Sequence, residues 1–114
     1  MDARAREGAT VVSPFGVEVS GPPATPVVVV RGEIDVATSP QLRNDLSTLI
    51  AGGAQHLTLD FTAVSFVDSS GLGVLVGTYK RLREDGGSIR IVGAQPSVRK
   101  VFEITGLETA LLQD

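Results

Sequence analysis

Between residues 57 and 92 the hydrophobic period changes twice, and this change constrains the fold more than anything else in the chain. Leu57-Thr58-Leu59-Asp60-Phe61 alternates apolar and polar, as a half-buried strand does. Leu72, Leu75, Val76, Tyr79 and Leu82 then recur at helical spacing, up to about Glu84, and Gly86-Gly87 stops them. Ser88-Ile89-Arg90-Ile91-Val92 returns to the strand pattern. The same sequence of patterns lies upstream. Val27-Val28-Val29-Val30 is a β-branched run, apolar on both faces, which predicts a buried central strand closed by Arg31 to Asp35. A helix follows, capped by Thr38 or Ser39, with Pro40 in its first turn and Leu42, Leu46, Leu49 and Ile50 as its stripe; Gly52-Gly53 ends it. Strands alternating with helices of about twelve residues form βαβ units, so the pattern predicts a mostly parallel sheet with right-handed crossovers.

The flanks extend this plan. Phe15 to Val19 alternates and predicts a first strand, and Gly21-Pro22-Pro23-Ala24-Thr25-Pro26 a turn. Pro96 opens a third helix, with Val98, Val101 and Phe102 inward and Gly106 at its end, and Ala110-Leu111-Leu112 reads as a last short strand. Residues 1–13 are polar, charged and small, and predict a flexible N-terminal tail before one domain over residues 14–114. At 114 residues and 42% hydrophobic content the chain has the size and composition of a single domain with a real core. A net charge of −3 argues against a nucleic-acid surface. The absence of cysteine excludes disulfides and thiolate metal sites. His56 has no second histidine to share a metal with, and reads as a strand-edge side chain. No apolar run reaches the length of a membrane span, and the mixed charges of Met1 to Glu7 are not those of a secretory signal, so the chain reads as cytoplasmic.

Functional residues in parallel sheets gather at the C-terminal ends of strands. Two stretches qualify: Gly32-Glu33-Ile34-Asp35 and Val67-Asp68-Ser69-Ser70-Gly71-Leu72-Gly73. In the second, Asp68, Ser69 and Ser70 are all competent helix caps. Glu33 and Asp35 are equally at home as polar residues of a loop leading to a cap. Gly71, Gly73 and Gly77 are less ordinary, because glycine inside a helix costs about 0.5–1 kcal/mol against alanine; the cost points to another backbone, or a partner protein, approaching closely. A dinucleotide site fails on spacing, since Gly77 comes one residue too late and no acidic residue follows the Ile89–Val92 strand. There is no Gly-Lys-Ser/Thr loop, and neither serine has a glycine two residues upstream as a nucleophile elbow requires. Lys80, Arg81 and Arg83 sit where cations suit the end of a helix.

Together, Gly32 to Asp35, Phe66 to Leu75 and Val101 to Leu107 resemble the three signatures of the STAS domain, and more narrowly those of stand-alone bacterial anti-sigma factor antagonists. The resemblance spans about residues 15 to 112. It implies a single α/β domain, a small mostly parallel sheet flanked by helices. It also implies a protein-binding switch, not an enzyme, with no cofactor. The partner would be an anti-sigma factor that is also a serine kinase. In this family the serine directly after the motif aspartate is phosphorylated, which corresponds to Ser69. Asp68 matches the motif aspartate, and Asp35 an aspartate of the first signature at the kinase-facing surface. Ser70, Gly71 and Gly73 would complete the partner-binding surface, the glycines keeping it low enough for docking. The unphosphorylated form would bind the anti-sigma factor and free a sigma factor, with a phosphatase to restore it. On this reading Asp35 is an exposed residue at the same end of the sheet as Ser69. Two rival readings are a STAS module of another assembly, such as a stress-signalling complex or a lipid-transport system, and a small nucleotide-binding domain. Family members usually continue past the last strand into a final helix, which is not among these 114 residues.

Overall fold

The computed structural model describes residues 14–113; the tail expected over residues 1–13 lies outside the described residues. The β-branched run becomes part of an eight-residue strand, β2 (Val27–Ile34). It is flanked by β1 (Gly16–Ser20) on one side and β3 (His56–Val67) on the other, with β4 (Ser88–Val92) beyond β3. β1 pairs antiparallel with β2, while β2–β3 and β3–β4 are parallel. The mostly parallel sheet is therefore as the sequence predicts. Helix α1 (Ser39–Ala51) joins β2 to β3, and α2 (Ser69–Glu84) joins β3 to β4. α3 (Pro96–Thr105) and the single turn α4 (Glu108–Leu111) follow.

Val28, Val30, Leu57, Leu59, Phe61, Ile89 and Ile91 are buried and form one core with Leu42, Leu46, Leu72, Leu75, Leu82, Val98 and Phe102 of the helices. Phe61 and Phe102 meet edge-to-face, their ring centroids 6.5 Å apart, which ties α3 to β3. The opposite face of the sheet is less covered. Val27 is exposed and Val29 half-buried, so β2 is central in pairing order but fully buried on one side only. The expectation of burial on both faces is corrected accordingly: a parallel sheet with its large apolar residues all on one side has its helices on that side.

Two further corrections concern element ends. β2 and β3 run past residues 30 and 61, where simple alternation stops, to Ile34 and Val67. The register slips between Val29 and Arg31 and between Gly32 and Glu33, so burial in β3 passes from Phe61 to Val64 and Val67, every third residue rather than every second. Gly32 is required there: its φ is +93°, and a Cβ would lie 2.8 Å from the Cα of Phe15. The last segment is a helical turn, not a strand. Leu107 N-caps it, Leu111 enters the core from it, and the chain then reaches the sheet by one parallel bridge, Leu112 to Ile91, in which the Gln113 N–H donates to the Ile91 carbonyl. Two adjacent buried leucines satisfy either reading on periodicity alone.

Candidate functional site

The register that extends β2 and β3 places their exits side by side. Ile34 pairs with Val67, and the Asp68 N–H donates to the Ile34 carbonyl at 3.1 Å. Asp35 and Ser69 therefore leave the sheet at the same end, as expected from parallel strands.

Asp68 is the N-cap of α2. Its extended backbone turns the chain, and its Oδ1 accepts from the Ser70 N–H (2.9 Å), the Gly71 N–H (3.3 Å) and the Ser70 hydroxyl (2.5 Å). The Ser70 hydroxyl bond is the main reason that the Asp68 carboxyl titrates below its ordinary value of 3.8; partial desolvation opposes it, and the backbone N–H groups of Gly71 and Ser70 add to it. Ser69 is the first residue of the helix and exposed, and its hydroxyl has no hydrogen-bond partner among the described residues. The two serines are thus distinguished by geometry. Ser70 is tied to its own cap, and Ser69 faces outward at the positive end of a sixteen-residue helix.

Asp35 behaves differently from the exposed residue expected. It is half-buried, and its Oδ1 accepts from the N–H groups of Ala37 (2.9 Å) and Thr38 (3.1 Å). Thr38 is the α1 N-cap by position but gives no side-chain cap bond; its hydroxyl donates to the Glu33 carbonyl and accepts from the Asp35 N–H. Gly71 is buried, and a Cβ on it would lie 2.5 Å from Ile34 Cγ2, so the packing of α2 on β2 itself calls for a glycine there. A Cβ on Gly73 or Gly77 would meet nothing within 4 Å, so these two remain open to a partner. Two side chains that periodicity did not single out flank the site: Val36 is 77% exposed and Phe66 46%. Large exposed apolar groups on the rim of a polar turn are the signal that would have found them.

The histidine lies apart from the Ser69 hydroxyl, and the Asp68 carboxylate is bonded to Ser70 rather than to it. His56 opens β3, where its Nδ1 lies 2.8 Å from the Ser88 hydroxyl, and the twelve residues of β3 separate it from Ser69 by roughly 35 Å of extended chain. Ser69 has no imidazole base. Among the described residues no three His, Asp or Glu side chains gather as a metal site would need, and no helix is long and apolar enough to cross a membrane. The basic cluster divides: the Arg83 guanidinium packs 5.5 Å from the Tyr79 ring centre and donates to its hydroxyl, while Arg81 turns to the surface between α1 and α2.

Comparison with known proteins decides the family. Residues 17–111 match the model of the STAS domain. The chain belongs to the STAS domain family. Within that family it is 42% identical over 81 residues to the anti-sigma-B factor antagonist of Bacillus subtilis, a match over 71% of this chain and 73% of the relative. A solved structure of the anti-sigma factor antagonist SpoIIAA in its unphosphorylated form is 31% identical, with a TM-score of 0.77, and covers 89% of this chain and 87% of that one. The Bacillus cell fate determinant SpoIIAA in its phosphorylated form matches at 30% identity and TM-score 0.70, over 89% of this chain and 90% of that one. Both the Bacillus subtilis relative and SpoIIAA are anti-sigma factor antagonists.

Proposed function

We propose that this chain is an anti-sigma factor antagonist, switched by phosphorylation of Ser69. The observation that carries the reading is the asymmetry of the β3–α2 turn, with the Ser70 hydroxyl bound to Asp68 and the Ser69 hydroxyl free and exposed. Kinship with antagonists in both phosphorylated and unphosphorylated forms supports it. The chain acts in the cytoplasm, where sigma factors act, and binds no nucleic acid itself. Unphosphorylated, it docks an anti-sigma factor that is also a serine kinase, and so frees a sigma factor. The docking face comprises Asp35, Asp68, Ser69, Ser70 and Gly73, with Val36 and Phe66 as its apolar contacts. A phosphate on Ser69 adds about −1.5 to −2 charge beside an aspartate already held in its ionised form. The helix N-terminus accommodates that charge within the domain. The penalty therefore falls on the partner interface, through repulsion and desolvation, and the complex separates. A phosphatase restores the binding form.

The test is incubation with the anti-sigma factor kinase of the source organism and ATP, with the product mapped by mass spectrometry. Phosphate is expected on Ser69; phosphate on Ser70 alone, or on neither serine, rejects the assignment. Ser69→Ala should bind and become insensitive to ATP. Ser69→Asp should bind at least about tenfold more weakly, equivalent to 1.4 kcal/mol, with an unchanged circular dichroism spectrum.

A further inference from the structure

A groove of about 190 Å³ runs between α1 and α2, lined by Arg43, Ser47 and Ile50 from one helix and by Gly73, Gly77 and Arg81, among others, from the other. Three independent features bear on what fills it. The first is the pair of glycines. Both occupy the interior of a helix, where alanine is favoured. Gly71 is explained by the contact its Cβ would make with Ile34, but a Cβ on Gly73 or Gly77 would meet nothing within 4 Å. Nothing among the described residues uses the space that these two leave.

The second feature is charge. Among the described residues, Arg43 and Arg81 are the only charged side chains lining the groove. Both are exposed, and neither forms an ion pair among the described residues. On a chain of net charge −3 this is a local positive surface, complementary to carboxylates. The third feature is continuity. Ser69, Gly73 and Gly77 stand at i, i+4 and i+8, on one side of α2. At 1.5 Å per residue, Gly73 lies about 6 Å and Arg81 about 18 Å along the helix from Ser69. A protein whose active site reaches Ser69 has the groove directly beside it.

The geometry points to this groove as the seat of an acidic segment of the kinase that docks on Ser69, its backbone laid against Gly73 and Gly77 and its carboxylates paired with Arg43 and Arg81. The inference rests on the switch reading above and names a second contact for the same partner.

The experiment measures affinity of the full chain for the source organism's anti-sigma factor kinase by calorimetry, at low and moderate salt, with the melting temperature of each variant. Gly77→Leu adds a side chain where the domain has room, so its melting temperature should hold or rise while affinity falls about tenfold or more. The double change Arg43→Glu and Arg81→Glu should weaken binding about tenfold or more and flatten its salt dependence. If wild type binds and is phosphorylated on Ser69 while all these variants bind equally well, the groove proposal is overturned and the switch reading stands. If wild type neither binds nor is phosphorylated, the switch reading fails, and the groove proposal with it. Inorganic phosphate is titrated in parallel. Saturable phosphate binding that the arginine variant abolishes, with kinase affinity unchanged, would make the groove a small-anion site and overturn the acidic segment. Should the arginine variant not fold, Gly77→Leu decides alone.

Discussion

The β2–α1 and β3–α2 turns leave adjacent parallel strands at paired residues, Ile34 and Val67, and each places an aspartate at the exit. They use it in opposite ways. Asp35 turns back on its own loop, accepting from Ala37 and Thr38, while the Thr38 hydroxyl links the Glu33 carbonyl to the Asp35 N–H. The first turn thus bonds its side chains largely within itself. Asp68 accepts from Ser70 and Gly71 and consumes the Ser70 hydroxyl, but leaves Ser69 outside the network. The second turn is rigid and yet presents one unbonded hydroxyl. Under the proposed switch, rigidity there would have a physical use: a kinase must hold the acceptor oxygen in line with its phosphate, and an acceptor on a fixed helix end needs less ordering on docking. The first turn supplies a shaped edge beside it, with Val36 exposed at its tip.

The largest effect expected from breaking this pair is at the packing beneath it. Gly71→Ala would drive a Cβ to 2.5 Å from Ile34 Cγ2, in the layer joining both turns, and Ile34 is fully buried with no room to yield. Overpacking of this kind costs about 1–3 kcal/mol, against less than about 1 kcal/mol gained in helix propensity. Urea unfolding should show a net loss of stability; an unchanged midpoint would mean that α2 shifts freely on β2 and that the two exits are not fixed relative to each other. Next in size is Asp35→Ala. It removes two hydrogen bonds to backbone N–H groups of a half-buried turn, and should cost about 1 kcal/mol. A variant as stable as wild type would return Asp35 to the surface role first read from its motif.

How far the comparison was legible beforehand differs between its parts. The helices and strands follow from periodicity, and parallel exits at one end follow from their alternation. The strand ends did not, because the slips at Arg31 and Glu33 break the two-residue period before the strands stop. The motif singled out this turn, but Ser69 and Ser70 are interchangeable as caps until the Asp68 rotamer is known. Gly71 and Gly73 look alike in sequence, since one position along a helix rotates a residue by about 100° and only packing shows which side faces β2. Arg43 and Arg81 lie 38 residues apart, and nothing local joins them; their pairing across one groove comes from the contact of α1 with α2.

The smallest effect, and the sharpest test of the asymmetry, is the titration of Asp68. Its carboxyl is held below its ordinary value of 3.8 mainly by the Ser70 hydroxyl. A carboxyl depressed in the folded state adds stability above its unfolded pKa, and that contribution is lost as pH falls through the lower, folded value. Ser70→Ala removes the main cause, so Asp68 should titrate closer to 3.8, as read from its side-chain carbonyl shift by NMR. The melting temperature of Ser70→Ala should then lie slightly below that of wild type near neutral pH, and the gap should close as pH drops below 3.8. Asp60, depressed by its Thr62 bonds, titrates in the same acid range, but it is common to both proteins and cancels in the difference. Ser69→Ala should leave the Asp68 titration and the melting temperature essentially as in wild type, because the Ser69 hydroxyl bonds to nothing in the described chain. If Ser69→Ala moved the Asp68 titration as far as Ser70→Ala did, both hydroxyls would share the cap, and geometry would no longer single out Ser69 as the residue left free for phosphate.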